Sequence, residues 1–287
     1  MNIMIMDSHE ICSALGTRGS SKNKDNKNFV PYYDAGMRAY LNYQHQLHND
    51  IIQEYSSENI EGFVSITPIV DDYDSIINND VPIYYFLEYG KYCILILDER
   101  NELYHKGILF SDEQLNWING VLTRTEKDNI IVVSSRPIGY LSKTIAQLRG
   151  ICSKEGRDDL YHPYNYHRTM NVLDLISEYG RNKEITIVSG NIRKTFINDI
   201  SRNEIIYPKI KQLVSSAITR KPRGYDNLPS RFGHWLGQKL SRFRNNTYEI
   251  GSKNNYSANN NYGFIEDDVV SNYWVKGYGG VVCSYFN

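Results

Sequence analysis

Ile185-Thr186-Ile187-Val188-Ser189-Gly190-Asn191-Ile192-Arg193 is the stretch that decides how the rest of the chain is read. An apolar, β-branched run stops at Ser189-Gly190 and gives way to polar, turn-forming residues. That is the pattern of a buried strand delivering side chains to a sheet edge. Three other runs end the same way. Ile3 to Met6 stops at Asp7-Ser8-His9-Glu10, Tyr92 to Leu97 at Asp98-Glu99-Arg100, and Ile130 to Val133 at Ser134-Ser135-Arg136-Pro137. In open α/β sheets, sites assemble beyond the carboxyl ends of the strands, so four such endings point to one edge.

The 287 residues suffice for one large domain or two ordinary ones with a sizeable core. Lys plus Arg number 32 against 33 Asp plus Glu, so no global charge bias toward nucleic acid or an acidic surface exists. The four cysteines, Cys12, Cys93, Cys152 and Cys283, are widely separated and lack zinc spacing; they read as free thiols of a reduced compartment. Met1 to Met6 is too short for a signal segment, and no run approaches the apolar length that spans a bilayer. The expectation is a cytoplasmic protein without a membrane partner. A chain that opens on a core strand also raises the expectation that preceding structure is supplied elsewhere.

In order along the chain, Met37, Tyr40, Leu41, Gln44, Leu47, His48 and Ile51 recur at helical spacing, predicting a helix from Tyr32 to about Gln53. His45 and His48 on it read as surface and packing residues, because no further ligand follows at metal spacing. Val70 to Asn79 reads as an acidic loop. Ile83 to Leu87 and Tyr92 to Leu97 form a hairpin around Glu88-Tyr89-Gly90-Lys91. Ser111 and Gln114 make a capping box opening a helix that buries Leu115, Trp117 and Ile118. Ser142 to Ile151 reads as helical, and so does Asn165 to Tyr179, with Met170, Leu173, Leu175 and Ile176 inward. Ile210 to Ile218 reads as a strand or short helix. Arg220 to Arg244 is basic with interleaved aromatics, a pattern that grips single-stranded nucleic acid. The packing positions Gly233 to Gly237 and Leu240 favour a cationic lid or packed helix instead. Asn245 to Asn261 reads as a polar loop, and Tyr262 to Asn287 as one or two antiparallel strands.

Several of these segments together resemble the PhoD-like branch of the calcineurin-type metallophosphoesterases. Met4 to Ile11 is similar to the family's Asp-Asp-His-Glu segment, and Gly16 to Ser20 to the loop after it. Arg38 to His45 is similar to its Tyr-Arg-Ala-Tyr plus Tyr-Gln helix, and Leu95 to Arg100 to its Leu-Asp-x-Arg strand. Glu113 to Trp117 resembles its Glu-Gln-x-x-Trp helix, Val188 to Arg193 its Leu-Ser-Gly-Asp-Val-His motif, and Ser215 to Ile218 its Ser-Ser strand. The order is kept from Met1 to about Thr219.

The resemblance implies an α/β fold: an incomplete metallophosphoesterase-type two-sheet sandwich flanked by helices over 1–219, with a basic Asn- and Tyr-rich extension over 220–287. The family's chemistry uses two metal ions (Fe, Ca, Mn or Zn) held by Asp, Asn and His, with a bridging hydroxide attacking a phosphate in line. By resemblance His9 takes the place of the catalytic histidine. Asp7, Ser8 and Asn191 fall at metal positions, and Arg193 at that of a metal-ligand His. A neutral serine is a poor hard-metal ligand, and a guanidinium has no lone pair to give. The family's Gly-Asp and Gly-Asp-x-x-Tyr strands have no counterpart before Asp7. The expectation is therefore an impaired phosphatase relative that needs no metal as this chain alone. Arg193, Lys194 and Arg100, with His9 beside them, remain to attract a phosphorylated small molecule. The rival expectation is an active phosphoesterase completed by a separate N-terminal chain or by a second protomer. Asp98 and Arg100 are expected to form a structural ion pair at the strand end.

Overall fold

Apolar runs buried on both faces make parallel strands, and helical runs with one apolar stripe cover them. The computed structural model of this chain describes residues 11, 25–41, 64–66, 82–138, 165–179, 182–190, 195–202, 210–214, 248–257, 261–265, 273–277 and 282–285. Its elements run α1 (Val30–Tyr40), β1 (Val64–Ile66), β2 (Tyr85–Tyr89), β3 (Tyr92–Ile96), α2 (Arg100–Lys106), α3 (Asp112–Arg124), β4 (Asn129–Ser134) and α4 (Tyr166–Tyr179). These are followed by β5 (Glu184–Ser189), β6 (Thr195–Arg202), β7 (Ile210–Val214), β8 (Tyr248–Ser257), β9 (Asn261–Ile265), β10 (Tyr273–Gly277) and β11 (Val282–Tyr285).

One eight-stranded sheet has the order β1-β2-β3-β4-β5-β7-β6-β8. Its centre is parallel: β3 with β4, β4 with β5, and β5 with β7. The pairs β1–β2, β2–β3, β6–β7 and β6–β8 are antiparallel. Register sets the carboxyl ends level, with Ser134 opposite Ser189 and Ser189 opposite Val214. A second, three-stranded antiparallel sheet has the order β11-β10-β9.

Strand alternation separates two apolar faces. Phe86, Cys93, Leu95, Ile130, Val132, Ile185, Ile187 and Ile210 pack with Leu115, Ile118, Val121 and Leu122 of α3 and Val172, Leu173 and Ile176 of α4. The opposite face carries a smaller cluster of Tyr85, Leu87 and Ile96, with Ile94 and Val133 against it. Cys93 is a free, buried thiol. A third cluster joins Tyr33, Met37, Tyr40 and Leu41, in and just after α1, to Ile83 and Tyr104, with Ile11 and Phe29 packed on it. Ile11 comes so close to α1 that a Cβ on Gly36 would lie 2.6 Å from Ile11 Cγ2, so this approach needs glycine.

Several expectations hold and several are corrected. The two buried runs ending at Val133 and Val188 are strands, the Ser111 helix and the Tyr166–Tyr179 helix form, and Ile210–Val214 is strand. The hairpin closes on Gly90-Lys91 alone, so Glu88 and Tyr89 extend the strand. Asp98-Glu99-Arg100 leads straight into α2, a helix absent from the sequence reading, and α2 stops at Gly107, whose φ of 68° is left-handed. The polar segment read as a loop contains β8, ten residues long, which pairs with β6 over Tyr248 to Lys253 and again at Ser257, with a register shift between. Backbone pairing along a neighbour supplies the hydrogen bonds, so the strand forms without an apolar pattern. β6 was not anticipated: Ile197 and Ile200, the apolar residues described as buried in it, are three apart and do not follow the two-residue period. The C-terminal stretch supplies three strands where one or two were expected. The helix predicted to about Gln53 is seen from Val30 to Tyr40, and its later part lies outside the described residues, as do Val70 to Asn79 and Ser142 to Ile151.

A buried polar network at the carboxyl edge

The end of β3 runs into five consecutive buried residues, Asp98 to Glu102, each at most 4% exposed. Three of them are carboxylic, so their partners decide what the edge can do. Asp98 Oδ1 accepts the N–H groups of Arg100 (3.0 Å) and Asn101 (2.9 Å), two of the unpaired donors at the start of α2. Asp98 thus meets Arg100 through the Arg100 backbone N–H, which differs from the side-chain ion pair expected from the sequence.

Gln114, on the first turn of α3, fastens that helix to the strand end. Its Oε1 accepts from Asp98 N (2.9 Å), and its Nε2 donates to Asp98 O (2.8 Å) and to Glu102 Oε2 (2.5 Å). The capping box is therefore half formed. Ser111 Oγ accepts from Gln114 N at 3.2 Å, but Ser111 N donates to Glu102 Oε2 (2.7 Å), not to Gln114. The Ser111 hydroxyl also donates to Glu102 Oε1, so a side chain from α2 replaces the reciprocal arm.

Glu99 turns to the next strand. It accepts the hydroxyl of Ser134, and Ser135 Oγ donates to its Oε2 at 2.6 Å. Burial raises the Glu99 carboxyl above its usual range, opposed by the two serine hydroxyls and by the charges of Arg100 and Arg136. Burial also drives Asp98 upward, reinforced by the Glu102 carboxylate and opposed by the two backbone N–H groups. On the α1 side, Tyr33 OH donates to Asn101 Oδ1 (2.5 Å) and lies 2.9 Å from His105 Nε2. The Tyr33 ring stacks on Tyr104 with centroids 3.6 Å apart. The hydroxyl of Ser189, at the end of β5, is buried with no hydrogen-bond partner among the described residues.

Of the site residues expected from the sequence, Arg100 is described: it opens α2 and is 1% exposed. His9, Asp7, Ser8, Asn191, Arg193 and Lys194 lie outside the described residues, as does the 220–244 segment. Ile11, two residues beyond His9, is described and packs on the α1 cluster. Among the described residues, no group of three or more His, Cys, Asp or Glu side chains is arranged to hold a metal ion. Also among them, no helix is long and apolar enough to cross a membrane. Sequence reasoning did not single out Glu102 or Tyr33. The signal for Glu102 lay in the pair Asp98 and Gly107, a helix start and a helix stop nine residues apart.

No known family profile and no curated protein matches the sequence. Among solved structures, the chain is similar to a structure of PhoD, with a TM-score of 0.51 at 12% identity. The match covers 98% of this chain and 54% of that one. The chain therefore has a mixed α/β fold resembling that of PhoD.

Proposed function

We propose that this protein is derived from PhoD-like metallophosphoesterases, is impaired as a catalyst by itself, and keeps a phosphate-binding pocket at the carboxyl edge of its sheet. The likeness in fold to PhoD supports the ancestry. The observation that carries the impairment is the make-up of the family's metal positions, where Ser8 and Arg193 stand in place of donor side chains. At the described part of the edge, Glu99 is held by two serine hydroxyls and Asp98 caps a helix through Oδ1.

The residues do not fit the two-metal group of the family. Its positions fall here on Asp7, Ser8 and Asn191, with Arg193 in place of an imidazole. A guanidinium cannot donate a lone pair, and its fixed charge opposes a divalent ion. The same charge suits a phosphate, which arginine grips through two parallel N–H donors. Arg193 and Lys194 would hold the anion, with His9 donating to it. Arg100, buried in the wall, supports Glu99 electrostatically.

The test is calorimetric titration with inorganic phosphate in the presence of chelator. Binding that survives the chelator and is lost in Arg193→Ala is the expected result. Unchanged binding in that variant would remove the pocket from the proposal. A second reading, an active phosphoesterase completed by another chain or protomer, draws on the match to 54% of the length of PhoD. It expects hydrolysis to appear only when a partner carrying the Gly-Asp motifs is added.

A further inference from the structure

The hydrogen-bond donors around Asp98 and Glu102 are divided unequally. Glu102 Oε1 faces the Ser111 hydroxyl and, at 3.6 Å, Lys106 Nζ. Glu102 Oε2 takes Ser111 N at 2.7 Å and Gln114 Nε2 at 2.5 Å. Asp98 Oδ1 takes the two backbone N–H groups of α2, while Oδ2 is buried with no hydrogen-bond partner among the described residues.

Among the described residues, the other groups facing Asp98 bring it no added positive charge. From α2 and its lead come the Glu102 and Glu99 carboxyls, both of which disfavour a charge on Asp98. From α1 comes Tyr33, and from the approach to β2 comes Tyr84; both hydroxyls are raised first by burial and further by nearby carboxylates, Asp98 among them, so neither brings a positive charge. From α3 comes the neutral amide of Gln114. A bare carboxylate oxygen shut away from water and set beside further carboxyls is strongly disfavoured.

We propose that Asp98 is carried as the neutral acid in the folded protein and acts as a proton-held latch between the end of β3 and the first turn of α2. Glu102 collects the donors, and Asp98 keeps the proton. Loss of that proton to solvent leaves a charge at Oδ2 that no described residue compensates, and the junction of β3, α2 and α3 loosens. The latch is independent of whether the edge binds phosphate.

The direction of the pH effect follows. Burial pushes the Asp98 carboxyl from its ordinary 3.8 to about 8, so between those values the folded chain holds one proton that the unfolded chain has released. This contribution to stability is complete below about pH 4, falls as the pH rises toward about 8, and is constant above.

The experiment compares thermal unfolding from about pH 5 to about pH 9 for the wild type, Asp98→Asn and Glu102→Gln. Asparagine has the shape of the neutral acid and no proton to lose. Asp98→Asn is expected to flatten the decline in Tm, gaining several degrees on the wild type between the acid and alkaline ends. Glu102→Gln turns an N–H toward the donors of Ser111 and Gln114 and should lower Tm most at acid pH, while loss of its charge eases the ionisation of Asp98 and makes the decline with pH shallower than in the wild type. Parallel profiles for the wild type and Asp98→Asn overturn the latch, as does a failure of Asp98→Asn to fold at alkaline pH. An infrared band of a protonated carboxyl at neutral pH, present in the wild type and missing in Asp98→Asn, supports it independently. Identical carboxyl spectra contradict it.

Discussion

Gln114 has three polar functions in its side chain amide, and all are engaged: one carbonyl acceptor and two N–H donors, each with a buried partner. Replacing it with alanine leaves Asp98 N, Asp98 O and one oxygen of Glu102 short of a partner in a site closed to water. Leaving buried polar groups unsatisfied at this edge should cost about 3 kcal/mol in Gln114→Ala, measured by urea unfolding. A loss below about 1 kcal/mol would mean that water reaches the edge and replaces the amide. The sequence shows Gln114 only as the partner of Ser111, because capping patterns are read at a spacing of three. Its working partners lie 16 and 12 residues away, on segments whose approach depends on how α3 packs against the sheet. The same limit hides the serine contacts of Glu99, which join residues 35 and 36 apart.

At the level of the element, α2 is the piece that sequence periodicity could not supply. It has seven residues, too few for a helical stripe to repeat, and it exists through its ends: the Asp98 carboxyl at the start and left-handed Gly107 at the stop. A Cβ on Gly107 would meet nothing within 4 Å, so Gly107→Ala carries only the conformational penalty of a left-handed alanine. The expected loss is about 1 kcal/mol, with the secondary structure unchanged by circular dichroism. A neutral substitution would show that the helix ends differently in solution. The long buried strands were legible because burial on both faces demands continuous β-branched runs, as in Ile130 to Val133 and Ile185 to Val188. β8 was not, since Asn254 and Asn255 read as loop chemistry, and its place is set by pairing with β6.

For the molecule as a whole, the parallel strands β3, β4, β5 and β7 end level, as the abrupt stops at Asp98, Ser134 and Ser189 suggest. The sequence thus located the edge, and the structure shows how its described part is closed. Carboxyls that resemble a site on paper are bound to helix N–H groups, serines and an amide. The remaining site residues could be named only through the resemblance, because ligand sets spread over nearly two hundred positions have no local spacing to betray them.

The most direct measurement of the central claim is metal content by mass spectrometry of the purified chain after incubation with manganese, calcium or iron, paired with hydrolysis of an aryl phosphate. The account predicts substoichiometric metal and no turnover above the uncatalysed rate. Two metal ions per chain, with turnover that disappears on chelation, would contradict it.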